Sequence, residues 1–401
     1  MATCPRVASS VAEPSGAPRP SVVDIFRRHS EAYRAAHPRL TPEQRRLLHD
    51  MMVCRTAVLG GHVYVCDQCG HELPVYNSCR NRNCPNCQAL EQARWLEARK
   101  ARVLPVGHHH VVFTLPGQLR PLAKRHPRRV FDLLLTAVRE TLTILPREHL
   151  GLQLGVTAVL HTWTRELLFH PHVHCIVTAG GLTLDGRRWI ARKNFLLHVA
   201  LMKAYFRGRV LHHLDRLRQQ DEINLGQAAW KKLIGSLPKP KRWCVYIQKP
   251  FGRSAHVLEY LARYTHRIAI SDHRLVEVHE EAVCFRTHGD DNATLTPLEF
   301  MDRYMQHVLP RGLHKIRHFG LYAAVNVRRL LPVAHALLGE GDRSQQEEPP
   351  PEPTEETAVE LLLRLTGEDL RRCPVCAKGR MERRPLPWGA PRAPPPWQVV
   401  A

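Results

Sequence analysis

Acidic side chains are in short supply in this chain: 37 Asp and Glu face 58 Lys and Arg, which leaves a net charge of +21 and a pI near 9.9. That imbalance implies a polyanionic partner, either nucleic acid or an anionic membrane surface. Long apolar runs are also missing. No stretch approaches the roughly 18 apolar residues of a membrane span, and the N-terminus lacks the apolar core of a secretory signal. The expectation is therefore a soluble cytosolic protein with no membrane partner. Apolar residues, at 44%, still suffice for two or three packed domains in 401 residues.

Cysteine is the exception to this scarcity. Of twelve, six fall between Cys54 and Cys87, and in a reducing compartment they read as thiolate metal ligands rather than as disulfides. Two Cys-x-x-Cys knuckles stand out, Cys66-Asp67-Gln68-Cys69 and Cys84-Pro85-Asn86-Cys87. Each presents two thiolates to one ion, and together they complete the tetrahedral shell of a structural Zn²⁺. Cys54, Cys79, His62 and His71 remain open as substitute ligands or a second site. A lone knuckle, Cys373-Pro374-Val375-Cys376, either borrows ligands from elsewhere or binds nothing. Around the knuckles Arg80, Arg82 and Arg94 neutralise phosphates, and Trp95 either stacks on an unpaired base or packs in the core. This composition suits single-stranded or hairpin DNA.

The stretch Leu167 to Gly181 carries His170, His172 and His174 at every second position. In a strand these imidazoles share one face while Phe169, Val173 and Cys175 take the other, a metal-site geometry. A strand over Leu152 to Trp163 precedes it, and Thr164 to Glu166 closes a hairpin. The third ligand is expected from Glu166 first and His161 second, the order depending on an unknown register. His108 to Pro116 reads as a further strand with histidines as edge polar groups. A helix over 254 to 266 carries Tyr260 and Tyr264 four residues apart, on one face, either as core aromatics or as nucleophiles.

The remaining pattern interleaves helices and strands. Val22 to Val58 is helical, with a capping box at Thr41-Pro42-Glu43-Gln44. Helices are expected over 88 to 103, 130 to 145, 195 to 236 and 296 to 308, a turn at Gly180 to Gly186, a strand at Trp243 to Gln248, and a hairpin from 274 to 286. The fold class is α+β: an antiparallel sheet with covering helices, preceded by a small zinc ribbon. Expected boundaries are a disordered lead (1–21), a helical and zinc-binding domain (22–103), a catalytic domain (104–338), an acidic Pro-rich linker (339–357) and a C-terminal knuckle with a Pro-rich tail (358–401).

The residues His170 to Gly181 closely resemble the HUH motif of rolling-circle transposases of the insertion-sequence ninety-one group, and Tyr260 to Ser271 resembles that group's tyrosine segment. The likeness runs from about Val22 to Leu338, with a weaker echo at Cys373 to Met381. It implies single-strand nicking and transfer of an insertion sequence through 5′-phosphotyrosine links, with Tyr264 and Tyr260 as nucleophiles. It also implies a catalytic Mg²⁺ or Mn²⁺ on His172 and His174. Tyr264 is expected to attack first, because Thr265-His266-Arg267 adjoins it to orient the phenol and hold the phosphate. Rival readings are a replication initiator or relaxase with the same chemistry, against which the ribbon speaks, and a non-catalytic DNA-binding protein, against which the intact His and Tyr residues speak.

Overall fold

The computed structural model describes residues 20–87, 89–100, 102–192, 197–248, 268–339 and 371–386, with positions 357, 359, 360, 363, 364 and 369. The first part of the chain runs α1 (Val22–Ala36), α2 (Pro42–Val53), β1 (Gly61–Cys66), β2 (Glu72–Tyr76), α3 (Ala89–Lys100) and β3 (His108–Thr114). Next come α4 (Arg120–Arg125), α5 (Pro127–Leu150), β4 (Leu152–Gln153), β5 (Gly155–Trp163), β6 (Phe169–Thr178), β7 (Gly180–Thr183) and β8 (Trp189–Ala191). They are followed by α6 (Val199–Gln219), α7 (Gln227–Ser236), β9 (Val245–Ile247), β10 (Leu275–Val278), β11 (Val283–Arg286) and β12 (Asn292–Leu295). The last are α8 (Pro297–Met305), β13 (Ile316–Gly320), α9 (Ala324–Val327), α10 (Leu331–Gly339) and β14 (Met381–Pro385). Helices and antiparallel sheets mix in an α+β architecture, as the pattern implies. Among the described residues no helix is long and apolar enough to cross a membrane.

Two compact units emerge, each discontinuous in sequence. One gathers the described residues of Met1–Gln92, Ile270–Val308 and Pro351–Ala401, the other those of Ala93–Ala269 and Leu309–Pro350. The segment 270–308, expected with the catalytic domain, thus packs with the N-terminal helices. Its apolar side chains are the reason. Tyr304 meets Phe26 edge-on at 5.3 Å, Phe300 meets Phe285 at 5.8 Å, and the buried Tyr304 hydroxyl donates to the Asn83 carbonyl at 2.8 Å. The α2 capping box forms as read, Thr41 and Gln44 each bonding the other's backbone N–H. This unit also holds the sheets β14-β1-β2 and β10-β11-β12.

The second unit is built on the sheet β13-β5-β6-β3-β9, antiparallel at every pairing. One face of it is apolar. Phe113, Ala158, Leu160, Val173, Cys175 and Val177 bury there against Leu134 and Val138 of α5 and Phe206 and Val210 of α6. Each of the Phe, Leu and Val side chains contributes about 1.5–3 kcal/mol on leaving water. Because side chains alternate, this packing dictates that His172 and His174 take the other face.

Several elements differ from the expected ones. The β3 strand is interior, between β6 and β9, so its histidines are not edge groups. Gly180 to Thr183 is strand β7, paired to β8 and β4, before the turn begins. A Cβ at Gly180 would lie 2.6 Å from the Ile190 carbonyl oxygen, at a φ of +147°. Close strand approach, not a turn, is what this glycine serves. Gly180→Ala should accordingly cost about 2 kcal/mol or more, from overpacking and left-handed backbone strain together. A thermal unfolding midpoint within 1 °C or so of the parent would contradict this.

Candidate metal and nuclease centres

On the polar face of the large sheet, His161 of β5 stands directly opposite His172 of β6, and His174 lies one repeat along the same strand. One ligand nitrogen from each of the three lies within 4.8 Å of the others. The Nε2 atoms of His172 and His174 are 3.0 Å apart, about the separation of adjacent ligands around one ion with bonds near 2.1 Å. His161, the second choice, therefore joins the pair, while Glu166 sits in the β5–β6 turn outside the cluster. The hairpin itself forms as expected. Its register turns His161 inward and leaves Glu166 beyond the last pair, Trp163↔Phe169.

Surrounding groups orient the rings. His172 Nδ1 lies 2.6 Å from the His170 carbonyl oxygen, so it carries the proton and leaves Nε2 as a lone-pair donor. His174 Nδ1 is 2.8 Å from His110 Nε2, and His110 Nδ1 is 3.1 Å from Gln248 Oε1. With each Nδ1 protonated, this series ends on an accepting amide oxygen and frees His174 Nε2 in turn. Burial holds His172 down to about 4, and burial followed by the neighbouring His161 holds His174 well below the ordinary imidazole range. Both are neutral at physiological pH, the state that binds a cation. The donor set fits a divalent ion. His170, the first imidazole of the motif, instead meets Arg120 at 2.5 Å and stands outside the cluster.

The sulfur ligands assemble differently from the expected quartet. Cys66, Cys69, Cys84 and Cys87 do not meet; Cys84 and Cys87 join Cys54 and Cys79, and Cys66 and Cys69 join Cys373 and Cys376. In the first group Cys54 Sγ lies 3.4 Å from Cys87 and 3.8 Å from Cys84, and Cys79 lies 3.5 Å from Cys87. A tetrahedron with Zn–S bonds of about 2.3 Å has edges of about 3.8 Å, so these sulfurs fit zinc. Hydrogen bonds from the Cys79 and Cys84 thiols draw Cys54 down to about 7, whereas the sulfurs of Cys54, Cys79 and Cys87 push Cys84 up. A bound cation would displace the protons that these crowded thiols otherwise hold.

Of the expected DNA contacts, Arg80 and Arg94 are exposed and Arg82 is half-buried. Trp95 packs on Val159, Ile176 and Ile316, with the Arg99 guanidinium 5.8 Å above its ring, so its apolar role is core packing. Tyr260, Tyr264 and Arg267 lie outside the described residues. His110 and Gln248 carry no motif of their own; the alternation of His108 and His110 with Val111 and Phe113 is the trace that marks one side of β3 as facing the cluster.

A family model described as "Transposase zinc-binding domain" matches residues 25–115, and one described as "Putative transposase" matches residues 155–329. The chain is 42% identical over 383 residues to "Putative transposase y4qJ" of Sinorhizobium fredii, covering 90% of this chain and 94% of that protein. It is 30% identical over 304 residues to the transposase for insertion sequence element IS801 of Pseudomonas savastanoi pv. phaseolicola, covering 72% of each. No solved structure matches the chain. The zinc-binding match spans Cys54, Cys79, Cys84 and Cys87, and the second match spans His161, His172 and His174.

Cys54 distinguishes the observed sulfur shell from the expected one. Cys54→Ser should lose one equivalent of zinc and unfold at a lower temperature than the parent, since metal binding is worth about 10–16 kcal/mol in isolated zinc peptides. Full zinc content in that variant, measured by plasma emission spectrometry, would remove Cys54 from the shell.

Proposed function

The chain belongs to the insertion-sequence ninety-one family of transposases, and from that premise we propose that it nicks and transfers one DNA strand of its element by a rolling-circle route. Its partners are single-stranded or hairpin DNA at the element ends and a DNA target, met in the bacterial cytoplasm. The single observation that carries the reading is the convergence of His161, His172 and His174 on the polar face of the sheet.

His161, His172 and His174 would hold a catalytic Mg²⁺ or Mn²⁺. When bound, such an ion supplies a Lewis acid to the non-bridging oxygens of the scissile phosphate. Imidazole ligands beside oxygen favour Mn²⁺ by softness, while Mg²⁺ is the more usual ion in phosphate chemistry. The protein's own groups fix the rest. The His170 carbonyl and His110 hold the two imidazoles in the Nδ1–H form, and Gln248 holds His110.

The Tyr264 phenol gives its proton to solvent, and its oxygen attacks phosphorus as the bond to the 3′-oxygen breaks, that oxygen taking up a proton from solvent. A 5′-phosphotyrosine link and a free 3′-hydroxyl result, and the phosphodiester energy is conserved for rejoining. Tyr260 serves the second cleavage, at the other end or at the target. Arg80, Arg82, Arg94 and Arg267 neutralise phosphates, so affinity falls with salt while cleavage depends on the histidines.

Incubation with single strands from the flanks of the gene and Mn²⁺, followed by mass spectrometry of the trapped adduct, tests this. Tyr264 should carry the nucleotide. Changing both tyrosines to Phe should abolish the adduct, and His172→Ala or His174→Ala should lower its rate by at least about 100-fold while most DNA affinity remains. A double phenylalanine variant that still becomes linked would rule the tyrosines out.

A further inference from the structure

The knuckles at Cys66–Cys69 and Cys373–Cys376 lie 304 residues apart between Cys69 and Cys373, yet their sulfurs converge within one unit. We infer that they form a second zinc centre, one that fastens the C-terminal segment to the N-terminal ribbon as its third strand. The inference rests on the reading of the ribbon as zinc-binding and extends it beyond residues 25–115, where the matched zinc-binding segment ends.

Distances come first. Cys66 Sγ is 3.7 Å from Cys376 Sγ, Cys69 Sγ is 3.7 Å from Cys373 Sγ, and all four sulfurs lie within 4.8 Å of one another. Those contacts match the edge of about 3.8 Å expected around zinc and are far longer than a disulfide bond of about 2.05 Å.

Both knuckles also offer their sulfurs the same kind of support. The N–H groups of Gln68 and Cys69 donate to Cys66 Sγ at 3.4 and 3.5 Å, the N–H of Val375 donates to Cys373 Sγ at 3.4 Å, and that of Gly379 to Cys376 Sγ at 3.3 Å. Backbone donors aimed at sulfur favour the thiolate, the form that ligates a metal. Left-handed backbone follows each knuckle, at Gly70 (φ +70°) and Ala377 (φ +54°).

The surrounding backbone is built for the junction. Asp67 N–H donates to the Arg380 carbonyl at 3.0 Å, and Arg380 N–H donates to Asp67 Oδ1 at 2.8 Å. From there the whole of β14 pairs along β1, from Cys66↔Met381 to His62↔Pro385. A two-stranded ribbon is marginal in water, and among the described residues its third strand is β14. Gly379 is tightly enclosed: a Cβ there would run into Cys66 Sγ and stand 2.7 Å from Asp67 Oδ1. The third strand brings exposed Arg383 opposite Tyr64, so the clasp also adds cationic surface to the ribbon.

Zinc in the full-length protein, purified without chelator and measured by plasma emission spectrometry, decides the matter. Two equivalents are expected in the parent, one in the Cys373→Ser/Cys376→Ser variant, and one in Gly379→Val, which keeps every cysteine but fills the space beside Cys66. A parent holding a single equivalent that disappears in Cys84→Ser would overturn the clasp and leave the first centre standing. Two equivalents in either the double-serine or the Gly379→Val variant would overturn it as well. A parent with no zinc would remove the zinc-ribbon reading on which the inference rests.

Discussion

The antiparallel register of β5 on β6 is the constraint on which the histidine cluster, the proposed nuclease centre, depends. With His161 opposite His172 and Ala158 opposite Cys175, one face of the pair collects imidazoles while the other buries apolar side chains. A slip of one residue would turn His172 and His174 toward Phe206 and Val138, leaving imidazoles in an apolar interior and Val173 at the metal site. The energy that forbids the slip comes from packing against α5 and α6, not from the histidines. The three imidazoles are thereby held together by the fold itself, and the cost of gathering and desolvating them is met by the hydrophobic face behind them.

The N-terminal unit obeys a different rule. Its helices bury an apolar core of their own, Ile25, Leu47 and Met51 among them, while the short strands of its ribbon bury little and lean on sulfur clusters. One quartet ties Cys54 to the loop that carries Cys79, Cys84 and Cys87, and the other joins the ribbon to the C-terminal segment. Buried aromatics supply the remaining cohesion, with Phe26, Tyr33 and Tyr304 fully enclosed.

Local chemistry was legible in the sequence and long-range partnership was not. Period-two histidines, the β5–β6 hairpin, the Thr41 capping box and the pairing of cysteines within each knuckle all follow from spacing, and each forms. Which knuckle meets which does not follow from spacing, because a Cys-x-x-Cys fixes its own two sulfurs and says nothing of the other two. Spacing alone therefore groups Cys66 and Cys69 with Cys84 and Cys87, where the fold gathers the first two with Cys373 and Cys376, and without a register it ranks Glu166 ahead of the His161 that joins the cluster. The short β13, Ile316–Gly320, has no alternating signal and is held by pairing to β5. His110 looked like an edge group because nothing local reveals that β3 runs between two other strands.

On the proposed reading, His161, His172 and His174 form one divalent-ion site on the polar face of the sheet. Anomalous scattering from a crystal soaked in Mn²⁺, recorded on both sides of the manganese absorption edge, tests it most directly. A single peak within bonding distance of the Nε2 atoms of His172 and His174, with His161 as the third protein ligand, is the predicted result. A peak coordinated by Glu166 in place of His161, or no manganese at these histidines while the zinc centres remain filled, would contradict the account.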